Sequence, residues 1–458
     1  MRIVVCIRQA QTGEMSPFDA SAYEAALRVP GAEVILLSMG IPKTAEYLRS
    51  LSRLGADAAV LLTDPRFAGA DTLATAYTLS LAVRRLAPEL VFCGRKTLEG
   101  DTGQTPLMLA ELCGMDCVQQ VLSLSLTDAG AVCRTREADA VRLRLPSVCV
   151  WERSAELRLP RLGSIPREVQ LLTADELGAD PALCGLSGSP TRVLQMRENE
   201  GGRRKCTFLP PSRFRDTVKA AADRRTEAER LIPCPRRLRH ILICSEAVRP
   251  AAETVAERIT AITPTEVGAV TDAVKAAQPD AVLWDCSPAQ RRMAAAVAAR
   301  MRLGLCADCT ALKTDGAELY MIRPARSGSV LAEIRSLTRP AMATVRTADD
   351  KVRELMLTVG YGAKDCLPKL TALAAELNAE QGATRKIVDK GLAPYERQIG
   401  LTGKTVAPKV YLAVGVSGAV QHLVGMQRAG TVIAVNPDRD APIFDYADYG
   451  FLCKAEDL

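Results

Sequence analysis

TRKIVDKGLAPYERQIGLTGKTVAPKVYLAVGVSGAVQHLVGMQRAGTVIAVN, residues 384–436, is the stretch that decides the fold. Val410 to Val416 is an apolar, β-branched run that stops at Ser417-Gly418-Ala419. A helical pattern begins there, and a second apolar run, Thr431 to Val435, ends on Asn436. This predicts a strand–turn–helix–strand unit with small residues at its first turn. A helix that starts on Gly and Ser presents backbone N–H groups and the positive end of its dipole, which suits a phosphate or pyrophosphate. Gly415-Val416-Ser417-Gly418-Ala419 nearly imitates the G-x-S-x-G elbow of hydrolases. The only histidines are His240 and His422, and His422 lies five residues beyond Ser417 in the same helix, where it cannot serve as the base of a triad.

The same alternation extends outward in both directions. Strand-like runs recur at Ile3–Ile7, Glu33–Ser38, Ala58–Thr63, Leu90–Cys93 and Ser147–Trp151, with helical patterns at Ala20–Arg28, Thr44–Leu54 and Ala70–Leu86 between them. A second series starts at His240–Cys244, passes through Ala281–Asp285 and ends near Ala341–Arg346. The third opens at Leu355–Gly360. Strands alternating with helices predict mostly parallel sheets covered on both faces. The fold class is therefore α/β, with three doubly wound domains at 1–200, 240–346 and 347–458. Residues 201–239 are read as a basic linker.

A chain of 458 residues is expected to form about three domains. Its 48% hydrophobic and 24% charged residues suit a globular protein with a sizeable core. No apolar run reaches the roughly 18 residues of a transmembrane helix. The start, MRIVVCIRQ, goes straight into a strand without a signal-peptide core, so a cytoplasmic location is expected. Residues 201–240 carry 12 Lys/Arg against 4 Asp/Glu, a local net charge of +8 in a chain of net +6. Only Phe208 and Phe214 accompany those charges, so a solvated linker or docking arm is favoured and nucleic acid is not an expected partner. The 15 cysteines show no regular spacing. Cys306 and Cys309 form an isolated C-x-x-C, and Cys113 and Cys117 could share a helix face, but no histidine accompanies them. Free thiols and no metal site are expected.

The words QIGLTGKTVAPKVYLAVGVSGAVQHLVGM and VIAVNPDRDAPIFDYADYG closely resemble the FAD-binding domain of the electron transfer flavoprotein α subunit, over nearly all of residues 355–453. SPFDASAYEAAL (16–27), LLSMG (36–40), LGADAAVLLTD (54–64), GADTLATAYTL (69–79), GRKTLEGDTGQT (94–105) and GLSGSPTRV (185–193) resemble the β subunit. GLCADCTAL and LTRPAMATV resemble words of the α subunit's first domain. The chain thus resembles a β subunit fused in front of an α subunit, with the basic segment as the join. The resemblance implies two adenine-nucleotide-hydrolase-like domains followed by a flavodoxin-like, Rossmann-type FAD-binding domain.

It also implies an FAD held by Thr384, Arg385, Gln398, Ile399, Gly400, Leu401, Thr402, Ser417, Gly418, Ala419, Val420, Gln421, His422 and Asn436. Within that set Thr402 would donate to the N5 or O4 edge of the flavin and Arg385 would lie over the ring. A fixed guanidinium there favours negative charge on the reduced flavin. His422 would sit near the C2 carbonyl and Asn436 toward the adenosine. A second nucleotide, AMP or a second FAD, would take Cys6, Ser16, Pro17, Phe18, Asp19, Met39, Gly94, Arg95, Lys96, Thr97, Leu98, Glu99, Gly100, Asp101, Thr102, Gly103, Gln104 and Thr105. The E-G-D-T-G-Q wording leans toward a second FAD.

No residue is expected to act on a substrate. The implied activity is electron transfer between an acyl-CoA or other flavin dehydrogenase and an acceptor flavoprotein, quinone reductase or iron–sulfur protein. NAD(H) would be a further partner if the chain bifurcates electrons with two FAD. A nucleotide-binding regulatory protein without redox function is the alternative. Several positions depart from the family pattern. Gly360-Tyr361-Gly362 replaces Gly-Arg-Gly, Leu401 replaces a Gln, Lys454 stands for an acidic residue, the chain stops at Leu458 without the usual last helix, and the 9–15 loop is short.

Overall fold

Short runs of Val, Ile and Leu form strands where both faces are buried, and Ala-rich segments between them form the covering helices. A computed structural model describes residues 1–458 except 11, 12, 14, 98, 128–129, 200–202, 224–232, 264 and 348–353. The first block holds β1 (Arg2–Cys6), α1 (Pro17–Leu27), β2 (Glu33–Met39), α2 (Thr44–Ser52), β3 (Ala58–Leu62), α3 (Thr72–Leu86), β4 (Leu90–Gly94) and α4 (Thr105–Cys113). It continues through β5 (Asp116–Thr127), β6 (Gly130–Thr135), β7 (Val141–Leu143), β8 (Ser147–Trp151), β9 (Val169–Leu172) and β10 (Thr191–Glu198). β11 (Thr207–Leu209) and α5 (Phe214–Asp223) follow. The middle block holds β12 (Leu238–Ile243), α6 (Arg249–Val255), β13 (Ala256–Ala261), α7 (Val267–Ala277), β14 (Ala281–Asp285), α8 (Pro288–Met301), β15 (Leu305–Cys309), β16 (Ala311–Thr314), β17 (Leu319–Ala325), β18 (Val330–Ser336) and β19 (Ala341–Val345). The third holds β20 (Leu355–Val359), α9 (Leu367–Glu376), β21 (Glu380–Ala383), α10 (Arg385–Asp389), β22 (Val410–Val414), α11 (Val420–Met426), β23 (Thr431–Val435) and β24 (Tyr449–Phe451).

The sheets are mostly parallel, as the alternation requires. The first runs β7-β6-β5-β8-β4-β1-β2-β3-β9, parallel except for the antiparallel β5–β6–β7 meander. The middle block forms β13-β12-β14-β19-β15, all parallel, beside a small sheet β10-β18-β17-β16. The third sheet runs β11-β24-β23-β22-β20-β21, again all parallel. Strand order reverses between β1 and β4 in the first sheet and between β20 and β22 in the third. Those are the places where open α/β sheets bind ligands, at the carboxyl ends of the strands.

The chain divides into two compact units. One is Met1–Met196 with Pro233–Arg326 and Ala332–Val345; the other is Arg197–Ile232 with Ser327–Leu331 and Arg346–Leu458. The first and middle blocks therefore share a unit, and they share a core. Leu107, Met108 and Leu109 of α4 are buried in one cluster with Ala294, Val297 and Ala298 of α8 and Trp284 of β14. Of the segment read as a linker, residues 203–223 are built into the second unit, while 233–239 belong to the first and lead into β12. β11 pairs with β24, and Phe214, Val218 and Ala221 of α5 are buried with Leu357, Leu412 and Phe451. Cys113 and Cys117 do not share a helix face, because Cys113 ends α4 and Cys117 lies on β5.

Candidate functional site

In the second unit the carboxyl ends of β20, β21, β22 and β23 bring Gly360, Thr384, Gly415 and Asn436 to one edge of the sheet. Gly360 and Gly415 touch across the switch point. The Gly360 amide donates to the Val414 carbonyl at 2.8 Å, and a Cβ on Gly360 would stand 2.0 Å from the Gly415 carbonyl oxygen. Gly415 (φ +66°) and Gly418 (φ +91°) both adopt left-handed backbone, and a Cβ on Gly418 would meet the Ile443 nitrogen at 2.2 Å. The helix begins at Val420 rather than on the Ser-Gly-Ala turn, because Gly418 and the extended Ala419 (ψ 136°) hold that turn out of helical geometry. No side chain caps α11, and Ser417, Ala419, Val420 and Gln421 are exposed at its start.

The loop 398–404 closes a second wall. Its Ile399 amide donates to the Ala383 carbonyl at the end of β21 (3.0 Å), and its Leu401 amide to the Gln421 carbonyl of α11 (2.6 Å). Gly400 and Gly403 allow this packing, since a Cβ on either would lie within 2.6 Å of another residue's backbone. Gln398 is buried and its Nε2 donates to Thr402 Oγ1 at 2.8 Å. Thr402 Oγ1 thus acts as an acceptor toward the protein, and its own proton is left to donate elsewhere. Among the described residues the buried Gln398 Oε1 and Thr384 Oγ1 have no partner. Arg346, buried and not foreseen from sequence, donates to the Leu401 carbonyl and to Thr405 Oγ1. Its only sequence signal is a lone arginine ending an apolar strand.

Arg385 opens α10 directly after β21, with its Nε 3.2 Å from Asp389. His422 is turned into the core. Its Nδ1 is 3.2 Å from the Ile399 carbonyl and its Nε2 is 2.9 Å from the Tyr411 hydroxyl. A carbonyl can only accept, so Nδ1 carries the proton and Nε2 receives the Tyr411 hydroxyl. Burial lowers the His422 pKa to about 4. His422 therefore orients the Ile399–Gly400 peptide rather than presenting a ring nitrogen to a ligand. Asn436 is also engaged with backbone: Nδ2 donates to the Val416 carbonyl (3.0 Å) and Oδ1 accepts from the Asp438 amide (3.0 Å). Gly360, Gly415 and Gly418 are required by packing against the chain's own backbone, and among the described residues the orphaned Thr384 and Gln398 atoms leave hydrogen-bonding capacity at this edge for a polar ligand.

In the first unit the loop after β4 faces the start of α1. Ser16 caps α1, accepting from the Phe18 amide (3.3 Å) and donating to the Lys96 carbonyl (2.8 Å), with Pro17 at the first helical position. Asp19 lies so close to Gly94 that a Cβ there would be 2.1 Å from its carboxylate. Burial raises the Asp19 pKa to about 7, against the Arg8 amide that it accepts from. Cys6 and Cys93 are register partners on β1 and β4, and Met39 packs against the shared core. Arg95 pairs with the buried Glu152, and Thr102 Oγ1 is 3.5 Å from Thr72 Oγ1 at the start of α3. Glu99 pairs with Arg8 at 2.8 Å. Gly103 has φ +64°, and Thr105 begins α4. Leu98 lies outside the described residues. Arg8, Ala10, Ser16, Thr97 and Glu99 line a surface cleft too tight to hold a water molecule.

The electron transfer flavoprotein domain profile matches residues 3–149 and again 252–363, together more than half of the chain. The electron transfer flavoprotein FAD-binding domain profile matches residues 351–427. Protein FixB of Rhizobium meliloti (strain 1021) is 35% identical over 234 residues, covering 41% of this chain and 66% of that protein. The electron transfer flavoprotein subunit alpha of Thermoanaerobacterium thermosaccharolyticum is 35% identical over 230 residues, 40% of this chain and 70% of that subunit. The electron transfer flavoprotein subunit beta of Clostridium acetobutylicum is 35% identical over 209 residues, 42% of this chain and 79% of that subunit. The chain spans just under two thirds of the length of the FixB relatives it matches.

Proposed function

Because the chain belongs to the electron transfer flavoprotein family, we propose that it carries electrons on one FAD held at residues 384–436 and exchanges them with separate redox proteins. The donor would be a flavin dehydrogenase, of the acyl-CoA or another class, and the acceptor a flavoprotein, quinone reductase or iron–sulfur protein. The observation that carries the reading is the edge at the β20/β22 switch point, with Thr384 Oγ1 and Gln398 Oε1 buried beside it and without a partner among the described residues. Bound FAD would supply one- and two-electron chemistry. The chain's own residues bind and tune it. The turn 415–419 before α11 would take the pyrophosphate, Thr402 would offer a hydroxyl proton oriented by Gln398, and Arg385 would add positive charge that favours the reduced ring. The visible spectrum tests this. Purified protein should absorb near ~375 and ~450 nm and bleach with a reductant. A colourless protein that takes up no FAD would refute the proposal.

The first unit is proposed to hold an adenine nucleotide, AMP or a second FAD, through residues 94–105. Counting nucleotides released on denaturation separates the readings. One FAD and one AMP fit a carrier, whereas two FAD would instead support a bifurcating enzyme that oxidises NADH.

A further inference from the structure

The loop 398–404 of the second unit is pinned on both sides of Thr402. Arg346, 5% exposed, donates from one terminal nitrogen to the Leu401 carbonyl and from the other to Thr405 Oγ1 at 3.4 Å. Tyr395 donates its hydroxyl to the Thr402 carbonyl at 2.9 Å. The Gly403 amide donates to the Gly400 carbonyl (3.0 Å), and the Leu401 amide to the Gln421 carbonyl (2.6 Å). In the peptides that join Gly400 to Gly403, the Thr402 amide alone has no acceptor among the described residues.

The Arg346 fork has a geometric consequence. A trans peptide points its N–H opposite to its carbonyl. The Leu401 carbonyl, held on the guanidinium, therefore turns the Thr402 amide to the other side of the peptide. Thr402 Oγ1 accepts from Gln398 Nε2 at 2.8 Å, which leaves its own proton unspent as well. Hydrogen bonds weaken steeply as a donor swings out of line. The setting of the two peptides that flank Thr402 thus decides where both of its donors can reach. An arginine suits the task, because a rigid planar fork holds the Leu401 carbonyl and the Thr405 hydroxyl in one geometry, which a flexible ammonium does not.

We propose that Arg346 and Tyr395 are positioning residues for the flavin. They fix the peptides before and after Thr402, and so aim its amide and hydroxyl protons at one polar edge of the ring. The inference rests on the FAD reading of this site. Neither residue needs to touch the cofactor, since both act through Thr402. Donors aimed at a ring edge whose charge changes on reduction tune the flavin potential.

The test uses the full chain with its FAD, with thermal melts as the control for folding. Tyr395→Phe removes one hydroxyl and keeps the ring. Arg346→Lys keeps the charge and loses the fork, so a shift there reports geometry rather than charge. Each should change the relative affinity for oxidised and reduced flavin about tenfold, a shift of about 30 mV for a two-electron couple. Added to Thr402→Ala, the Tyr395→Phe shift should shrink, because both changes reach the ring through one residue. A purely structural role would lower the melting point and leave the potential alone. A wild-type potential in both single variants would therefore overturn the proposal, and so would a Tyr395→Phe shift that adds in full to that of Thr402→Ala. A wild-type chain that takes up no FAD would instead overturn the FAD reading, and this proposal with it.

Discussion

The His422 ring is neutral because charging it would bury a cation between the Tyr411 hydroxyl and the Ile399 carbonyl. Its folded pKa of about 4 lies below the usual value near 6.5, so the unfolded chain binds the extra proton between those two values. Stability from this group is complete above about pH 6.5 and is lost as pH falls toward 4, by about 1.4 kcal/mol per unit and about 3 kcal/mol in all. Urea midpoints of the FAD-binding unit should therefore drop between pH 7 and pH 5, and His422→Gln should flatten that drop. Asp19 has the opposite sign. Its folded pKa is raised from 3.8 to about 7 by burial, so the folded state keeps the proton and the penalty grows as pH rises between those values. Asp19→Asn keeps an acceptor for the Arg8 amide. It should stabilise the protein at pH 8 by roughly 2–4 kcal/mol and change little at pH 4, as thermal melts at the two pH values would show. A melting point unmoved at pH 8 would mean that Asp19 is solvated rather than buried. Neither behaviour was legible in the sequence. The family resemblance placed His422 near the flavin C2 carbonyl, and its bonds to Tyr411 and the Ile399 carbonyl are what the structure adds.

The element that carries Arg385, α10, is five residues long and too short to persist without tertiary support. Tyr361 supplies some of that support. Its ring joins the cluster of Ala383, Ile387 and Val388, and Lys386 lies over it with Nζ 3.9 Å from the ring centroid. The substitution of Gly-Tyr-Gly for Gly-Arg-Gly thus places an aromatic brace beside the helix. Arg385→Ala should lower the flavin reduction potential by on the order of tens of millivolts. Tyr361→Ala should lower it in the same direction by less, by loosening α10, and Tyr361→Phe should leave it unchanged. A potential that responds to neither substitution would place Arg385 on the surface, away from the ring. The strands were legible because short apolar runs of five residues between helical patterns bury both faces best as strands: Ala281–Asp285 and Thr431–Val435 appear where the sequence predicts them. The helix α5 was not, because Phe214, Val218 and Ala221 supply one narrow apolar face in a segment dominated by charge. The β5–β7 meander was also missed, although Ser123-Leu124-Ser125-Leu126 carries the period-two alternation of a strand with one face toward water.

For the whole molecule, the sequence shows three α/β blocks but not that two of them share a core, because the partners of α4 lie almost two hundred residues away on α8. The sequence also does not show where the chain would meet another protein. The irregular segment 152–168 of the first unit offers a place. It is tied down at intervals: Arg158 bonds Glu24, the Ser164 carbonyl accepts from Arg53, and the Arg167 amide donates to Ser52. Between those ties Leu159, Leu162 and Ile165 are among the most exposed large apolar side chains, with Leu162 fully in solvent. A tied-down segment that keeps three large apolar groups in water is better explained by a partner than by folding. Arg161 between two of them would favour an acidic rim on that partner. Leu162→Glu should therefore slow electron exchange with a partner dehydrogenase at least tenfold, while the flavin spectrum, potential and thermal stability stay as in wild type. Stopped-flow reduction by the partner, set beside chemical reduction by dithionite, separates docking from flavin chemistry. An unchanged rate with the partner would show that this segment faces water in the complex as well.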